Sequence, residues 1–208
     1  LHRLFFDIDG VLIDGFHMKP ERQNRWDLNI EEDLGIKQDH LQEIFRGWFL
    51  EVLQGRADFH LELDRWLKSH GYDHAPETII DYWHSRDTKL SKAFDVVKAL
   101  SGRQDVALFT ATNQSHQRIE YLKENLGWKD HFADFYYSAR LGCLKYDFNY
   151  FRQIEEELSF DPANDPHVYF DDDPRNIEVS SARGWNAALV DGPEDVTNHP
   201  VIQSLLRT

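Results

Sequence analysis

At 208 residues, 41% of them hydrophobic, the chain is long enough to bury a substantial core as one domain, or as one domain carrying an insertion. Its 23 basic against 37 acidic residues leave a formal charge of −14, which opposes a broad footprint on a nucleic-acid polymer or an anionic membrane. The only cysteine, Cys143, excludes an internal disulfide, and no run approaches the roughly 18 apolar residues of a spanning helix, so a cytoplasmic protein without a secretory signal is expected.

The first element is an apolar run from Leu4 to Val11 that ends in two carboxylates two residues apart, Asp7 and Asp9. Strand alternation points both the same way, off the end of a buried strand. Two like charges so placed resist desolvation and call for a cation, a proton or a strongly polar cleft. Gly10 lets the backbone turn sharply beside them.

Roughly a hundred residues then precede the next strand, too many for one crossover. They read as helical. One helix is expected near Glu21 to Leu34. In the next, Leu41, Ile44, Phe45, Trp48, Phe49, Val52 and Leu53 repeat at three- and four-residue steps, with Asp39 as a possible N-cap and Gly55 beyond the end. Further helices are expected over Asp58 to Ser69 and Glu77 to Arg86. The aromatic stripe through Phe45, Trp48 and Phe49 is the pattern of helix packing.

From Asp105 onward apolar runs and helical periods alternate. Strand-like runs cover Asp105 to Phe109, the segment around Phe135 to Leu141, and His167 to Phe170; helices are expected over Ser115 to Leu126, Phe148 to Leu158 and Arg175 to Arg183. Asp161 to Pro166 and Asp191 to Pro200 read as loops. This alternation implies an α/β fold with a parallel, doubly wound sheet and right-handed crossovers, whose chemistry gathers beyond the carboxyl ends of its strands. A polar cluster follows each run: Thr110, Lys145, and Asp171 with Asp172. Asp173 stands apart, because Pro174 makes it a good N-cap with proline at the first helical position.

The ordered set resembles the haloacid dehalogenase (HAD) superfamily, over Arg3 to Val11 and Val106 to about Val190. Asp7 to Val11 is similar to the family's first motif, Thr110 to its second, Lys145 to its third, and Asp171, Asp172 and Asn176 to its fourth. Two positions depart from the pattern: Ala111 where an Asn commonly follows the Thr, and Tyr146 where a Pro commonly follows the Lys. The resemblance implies a Rossmann-like core over residues 1–15 and 90–208, with 16–89 inserted as a small helical cap. His17, Lys19, Arg22, Arg25 and Arg46 are the cap side chains that could touch substrate.

It also implies roles. Asp7 is the expected nucleophile, forming an aspartyl phosphate that splits one displacement into two, and Asp9 the general acid and base. Thr110 and Lys145 would meet the charge on the transferring phosphoryl group. A Mg²⁺ held by the Asp7 carboxylate, the Asp9 carbonyl and Asp172 would offset repulsion of the incoming phosphate, with Asp171 and Asn176 in support. The expected activity is hydrolysis of a small phosphomonoester, either a sugar phosphate or a nucleoside monophosphate. A 2-haloacid dehalogenase shares the nucleophile but ordinarily needs neither metal nor a second acid; a phosphomutase differs mainly in where the phosphoryl group goes next. A binding protein that kept the fold without its chemistry is the alternative from outside enzymology. A signalling receiver uses similar groups, but in an order that disagrees with this chain.

Overall fold

The computed structural model describes residues 1–207. Its strands are β1 (His2–Phe6), β2 (Ile13–Asp14), β3 (Thr88–Lys89), β4 (Val106–Thr112), β5 (Asp134–Tyr137), β6 (His167–Asp171) and β7 (Ala187–Leu189). Among the described residues, five of these form a parallel sheet in the order β5-β4-β1-β6-β7. The chain builds outward from β1 to one side through β4 and β5, then to the other through β6 and β7. The carboxyl end of β1 is therefore the point where the winding reverses, and the crevice of such a sheet opens there.

β1 is buried on both faces, which is why its sequence is continuously apolar before the acids. Leu4 and Phe6 enter one core cluster, with Phe94, Val97, Leu122 and Trp128; Phe5 enters the other, with Phe109, Tyr150, Phe151 and Trp185. Phe5 stacks on Phe109 at 5.1 Å and Phe6 on Phe170 at 5.3 Å. Each such ring, fully buried, contributes about 1.5–3 kcal/mol through area removed from water, which fixes the strand that carries the acids.

A third apolar cluster is made only of residues from 26 to 83, including Leu41, Ile44, Leu63, Trp66 and Ile80. Its helices are Ile30–Leu34, Gln38–Arg46, Phe49–Leu53, Phe59–Ser69 and Pro76–His84. Asp58 caps the fourth by accepting from the Leu61 N–H at 2.9 Å. The two chain segments leading into and out of this region lie side by side, β2 pairing antiparallel with β3 through Ile13↔Lys89 and Asp14↔Thr88.

Several elements differ from the sequence reading. The helix expected over Glu21 to Leu34 is a 3₁₀ turn, Pro20–Arg22, and a short helix, Ile30–Leu34. Between them Gln23 donates to the His17 carbonyl at 2.8 Å, and the Asn24 N–H to the Gly15 carbonyl at 2.9 Å, so tertiary bonds replace helical ones. The expected helix through Leu41 and Leu53 is broken at Gly47, with φ −116° and ψ −119°, and its N-cap is Lys37 rather than Asp39. The run around Phe135 to Leu141 is strand only to Tyr137, then a helical turn, Ser138–Leu141, closed by Gly142. A helix, Pro193–Thr197, lies in the stretch read as loop, and the helix Ser91–Leu100 was not anticipated. No helix among the described residues is long and apolar enough to cross a membrane.

Candidate active site

A cavity of about 590 Å³ opens at the carboxyl end of β1. Asp7, Asp9, Lys145 and Asp172 all line it. Asp7 is reached through the bond from its N–H to the Phe170 carbonyl of β6, 2.9 Å, after which the chain leaves the sheet. Gly10 then takes φ +79°, and a Cβ there would lie 2.9 Å from Asp172 Cγ. Any side chain would both strain this turn and displace the acid opposite it. Gly10 N–H and Ile13 N–H turn back onto the loop, leaving the Asp9 carbonyl without a backbone donor among the described residues.

Lys145 is the cation at the centre. Its Nζ lies 2.5 Å from Asp7 Oδ2 and 2.7 Å from Asp171 Oδ2, and the side chain is 2% exposed. Burial works against its charge, but Asp171 and Asp7 more than offset this and hold its pKa above the usual lysine value. The Lys145 N–H donates to Asn113 Oδ1 at 3.0 Å, which ties the lysine loop to the end of β4. Carboxyl oxygens of Asp7, Asp171 and Asp172 lie within 4.8 Å of one another, three acids against one ammonium. Burial, reinforced by Asp171 and Asp172, pushes the Asp7 carboxyl up to about 8 despite the pull of Lys145. Asp172 is pushed up to about 6 by burial, against a bond of 2.7 Å from the Met18 N–H.

Asp171 has no capacity left. It accepts from Lys145, Tyr169 Oη, the Asp173 N–H and the Asn176 amide, and it does not line the cavity. Asp173 caps the helix Pro174–Ala182 by accepting from the Arg175 N–H at 2.9 Å. Asn176 lines the cavity and donates to Asp171, while its buried Oδ1 has no hydrogen-bond partner.

Asp9 accepts from Gln114 Nε2 at 2.6 Å. Burial raises its pKa, against Arg118, which lowers it. Arg118 is itself 1% exposed and forks onto Asp87 at 2.5 and 2.8 Å. Gly15 gives the Asp9 carboxylate room, since a Cβ there would lie 2.9 Å from Oδ1.

Thr110 is not brought to the cavity. β4 runs on to Thr112, and Thr110 pairs with Phe6 inside the sheet, its hydroxyl 3.4 Å from the Tyr136 carbonyl. The threonine at the strand end is Thr112, which lines the cavity with Asn113 and Gln114. Two residues preserve the parity of the strand, so the correction slides the position without changing the face. The signal was in the sequence: the Thr-Asn pair that Ala111 denies to Thr110 stands at Thr112 and Asn113.

Of the five basic side chains proposed for substrate contact, only Arg25 lines the cavity, forked onto Asp27 at 3.0 and 2.7 Å. Lys19 and Arg22 bind Asp191, and Arg46 is exposed away from the lining. His17 is buried, its Nδ1 accepting from the Lys19 N–H at 2.9 Å and 3.6 Å from Asp172. Further lining comes from Trp26, Gln42, Phe45, Phe49, Leu53, Trp83 and Arg86, none of which the sequence marked as facing a ligand.

A family model described as haloacid dehalogenase-like hydrolase matches residues 2–180. No curated protein sequence matches. Among solved structures, a HAD family enzyme from Bacteroides thetaiotaomicron in complex with magnesium and inorganic phosphate is similar at a TM-score of 0.74 and 18% identity, over 92% of this chain and 95% of that one. A predicted HAD-like family hydrolase from Porphyromonas gingivalis gives 0.75 at 20% identity, over 100% and 98%. The L-2-haloacid dehalogenase from Xanthobacter autotrophicus is more distant in shape, 0.59 at 20% identity over 90% and 76%.

Proposed function

Because the chain belongs to the haloacid dehalogenase-like hydrolases, we propose that it hydrolyses a small phosphomonoester, with Asp7 as nucleophile and residues 16–89 as a cap over the site. The observation that carries the reading is that a second acid, Asp9, lines the same cavity as Asp7, beside a cluster of Asp7, Asp171 and Asp172 whose carboxylates outnumber its one lysine. A dehalogenase has no need of the second acid or of so much uncompensated negative charge.

The donor set suits a hard divalent cation: carboxylate oxygens of Asp7 and Asp172, the Asp9 carbonyl, and nearby the unpartnered Oδ1 of Asn176. These residues would hold Mg²⁺, the ion bound by the similar Bacteroides enzyme together with phosphate. When bound, it supplies positive charge that offsets the substrate dianion and returns Asp7 to the carboxylate form.

The protein's own groups do the rest. Asp7 attacks phosphorus and the ester P–O bond breaks, leaving an aspartyl phosphate. Asp9, held by Gln114 and raised by burial, donates its proton to the departing oxygen. It then takes a proton from the water that attacks the same phosphorus, releasing inorganic phosphate and restoring Asp7. Thr112 and Lys145 meet the charge on the phosphoryl oxygens, and Asn113 positions Lys145 through its backbone N–H.

The test is p-nitrophenyl phosphate turnover with Mg²⁺, with chelator, and in two variants. Chelation abolishes turnover and added Mg²⁺ restores it. Asp7→Asn lowers turnover by at least on the order of 10³ and forms no hydroxylamine-labile phosphoenzyme. Asp9→Asn loses less with nitrophenyl than with alkyl esters, because nitrophenolate leaves without a proton. Near wild-type turnover in Asp7→Asn removes the mechanism. Halide release from 2-chloropropionate without metal would instead select the dehalogenase.

A further inference from the structure

We infer that the wall contributed by the cap is a subsite for a planar ring on the leaving group, so that the preferred substrate is a ring-bearing phosphomonoester rather than a sugar phosphate. The inference rests on the phosphomonoesterase reading for its chemistry, and on the cavity wall for its specificity.

Trp26, Phe45, Phe49 and Trp83 line the same cavity as Asp7 and Asp9. They form one array: Trp26 stacks on Trp83 at 5.2 Å with 14° between planes, Phe45 meets Trp26 edge-on at 6.3 Å, and Phe49 meets Phe45 edge-on at 5.2 Å. Packing alone does not use them up. Trp66, in the same apolar cluster, is 6% exposed, whereas all four of these rings are only half-buried and line the cavity. A flat ring entering there extends an existing stack, with face and edge contacts already in place.

A sugar finds the opposite. Each hydroxyl it buries needs a partner, and four aromatic faces supply none, so its polar groups would be desolvated without compensation. Of the polar side chains that share this lining, Arg25, Asp27, Gln42 and Arg86 are already bonded within the protein, Arg86 to Asp33 at 2.9 Å. Arg25 forks onto Asp27, which also accepts from Gln42 Nε2 at 3.2 Å. Polar edges beside apolar faces suit a ring with hydrogen-bonding heteroatoms on its rim.

Two sources share this chemistry, a nucleobase and a simple aryl group, and the experiment separates them. Phosphate release with Mg²⁺ is measured from uridine 5′-monophosphate, benzyl phosphate, glucose 6-phosphate and glycerol phosphate. All four leave as alkoxides, so leaving-group acidity does not bias the series. The ring esters exceed the others in kcat/KM by about ten-fold or more, the scale of a base stacked on an aromatic side chain. Uridine 5′-monophosphate above benzyl phosphate identifies a nucleobase; the reverse identifies an aryl group.

Trp26→Leu lowers the ratio of ring to non-ring kcat/KM by about ten-fold, and Trp26→Phe, which keeps a ring, restores most of it. Tryptophan fluorescence of the metal-free full chain is quenched by uridine and benzyl alcohol, which carry the ring without the phosphate, and not by glucose. Phosphate release favouring glucose 6-phosphate, with no quenching and an unchanged ratio in Trp26→Leu, overturns the ring subsite and leaves the phosphatase reading standing. Quenching without phosphate release from any ester does the reverse.

Discussion

Lys145→Met isolates what the central cation does. The substitution keeps most of the side-chain volume and removes one charge that is 2% exposed and bonded at 2.5 and 2.7 Å to two carboxylates. Asp171, fully buried, and Asp7 are then left facing each other with only neutral donors around them. Removing one partner of a buried ion pair costs about 3–5 kcal/mol, because the other charge stays buried without compensation. For a chain of this length each kcal/mol moves Tm by roughly 2–4 °C, so Tm should fall by about 6–20 °C at pH 7.5. Thermal unfolding followed by circular dichroism reads this directly. The loss should grow as the pH is raised from 7.5 to about 9, where wild-type Asp7, pushed up to about 8, ionises against Lys145 while Asp7 of the variant keeps its proton. Added Mg²⁺ should recover part of it by supplying the missing positive charge. Phosphatase turnover should fall by about 10²–10³ even where the variant is folded. A Tm loss under about 2 °C at pH 7.5, unaffected by pH or Mg²⁺, would refute the account of Lys145 as the charge that makes this cluster tolerable.

The two threonines of β4 should separate cleanly. Thr112→Ala should raise KM and lower kcat/KM for phosphomonoesters by ten-fold or more, on the order of a lost donor to the phosphoryl oxygens, while Thr110→Ala, away from the cavity, should change activity by less than about three-fold. The metal-free protein should lose stability as pH rises from about 4 to about 8. Asp7 and Asp172 have folded pKa values above their unfolded ones, at about 8 and about 6, so the native state binds more protons across that window and stability falls with pH. Saturating Mg²⁺ should flatten or reverse the slope, as measured by urea unfolding at fixed ionic strength.

Much of the core was legible because its elements are locally consistent. The apolar run into Asp7 and Asp9, the alternation of strands and helices, and the Asp173-Pro174 cap all follow from patterns that need no distant partner. Thr110 shows where this stops. β4 runs two residues past the end of its ladder with β1, held there by its pairing with β5 through Ala111↔Tyr136 and Thr112↔Tyr137, and nothing within Phe109-Thr110-Ala111-Thr112 shows which threonine is still paired with Phe6. The stretch from Gln23 to Asn29 failed for a related reason. Its helical composition is overridden by bonds to the carbonyls of His17 and Gly15 across the cavity mouth. The helix Ser91–Leu100 differs, since Ala93, Phe94, Val97 and Leu100 carry a readable helical period. On the cap the sequence announced an aromatic stripe but not that its edge is uncovered, because exposure there depends on how a separate apolar cluster meets the strand ends.

The two-residue ladder of β2 with β3 also bears on how such a chain can vary. It brings the ends of the long insertion together next to the loop that carries Asp7 and Asp9, so the sheet sees the whole of residues 15 to 87 as a single closed loop. The entropic cost of closing a flexible loop rises only with the logarithm of its length, about 0.6 kcal/mol for each doubling. Helices can therefore be gained, lost or exchanged between Asp14 and Thr88 with little penalty to the strands that hold Asp7, Lys145 and Asp172. The wall that residues 26 to 83 give the cavity is the part of this molecule freest to change, and the cluster of Asp7, Lys145 and Asp172 is the part least free.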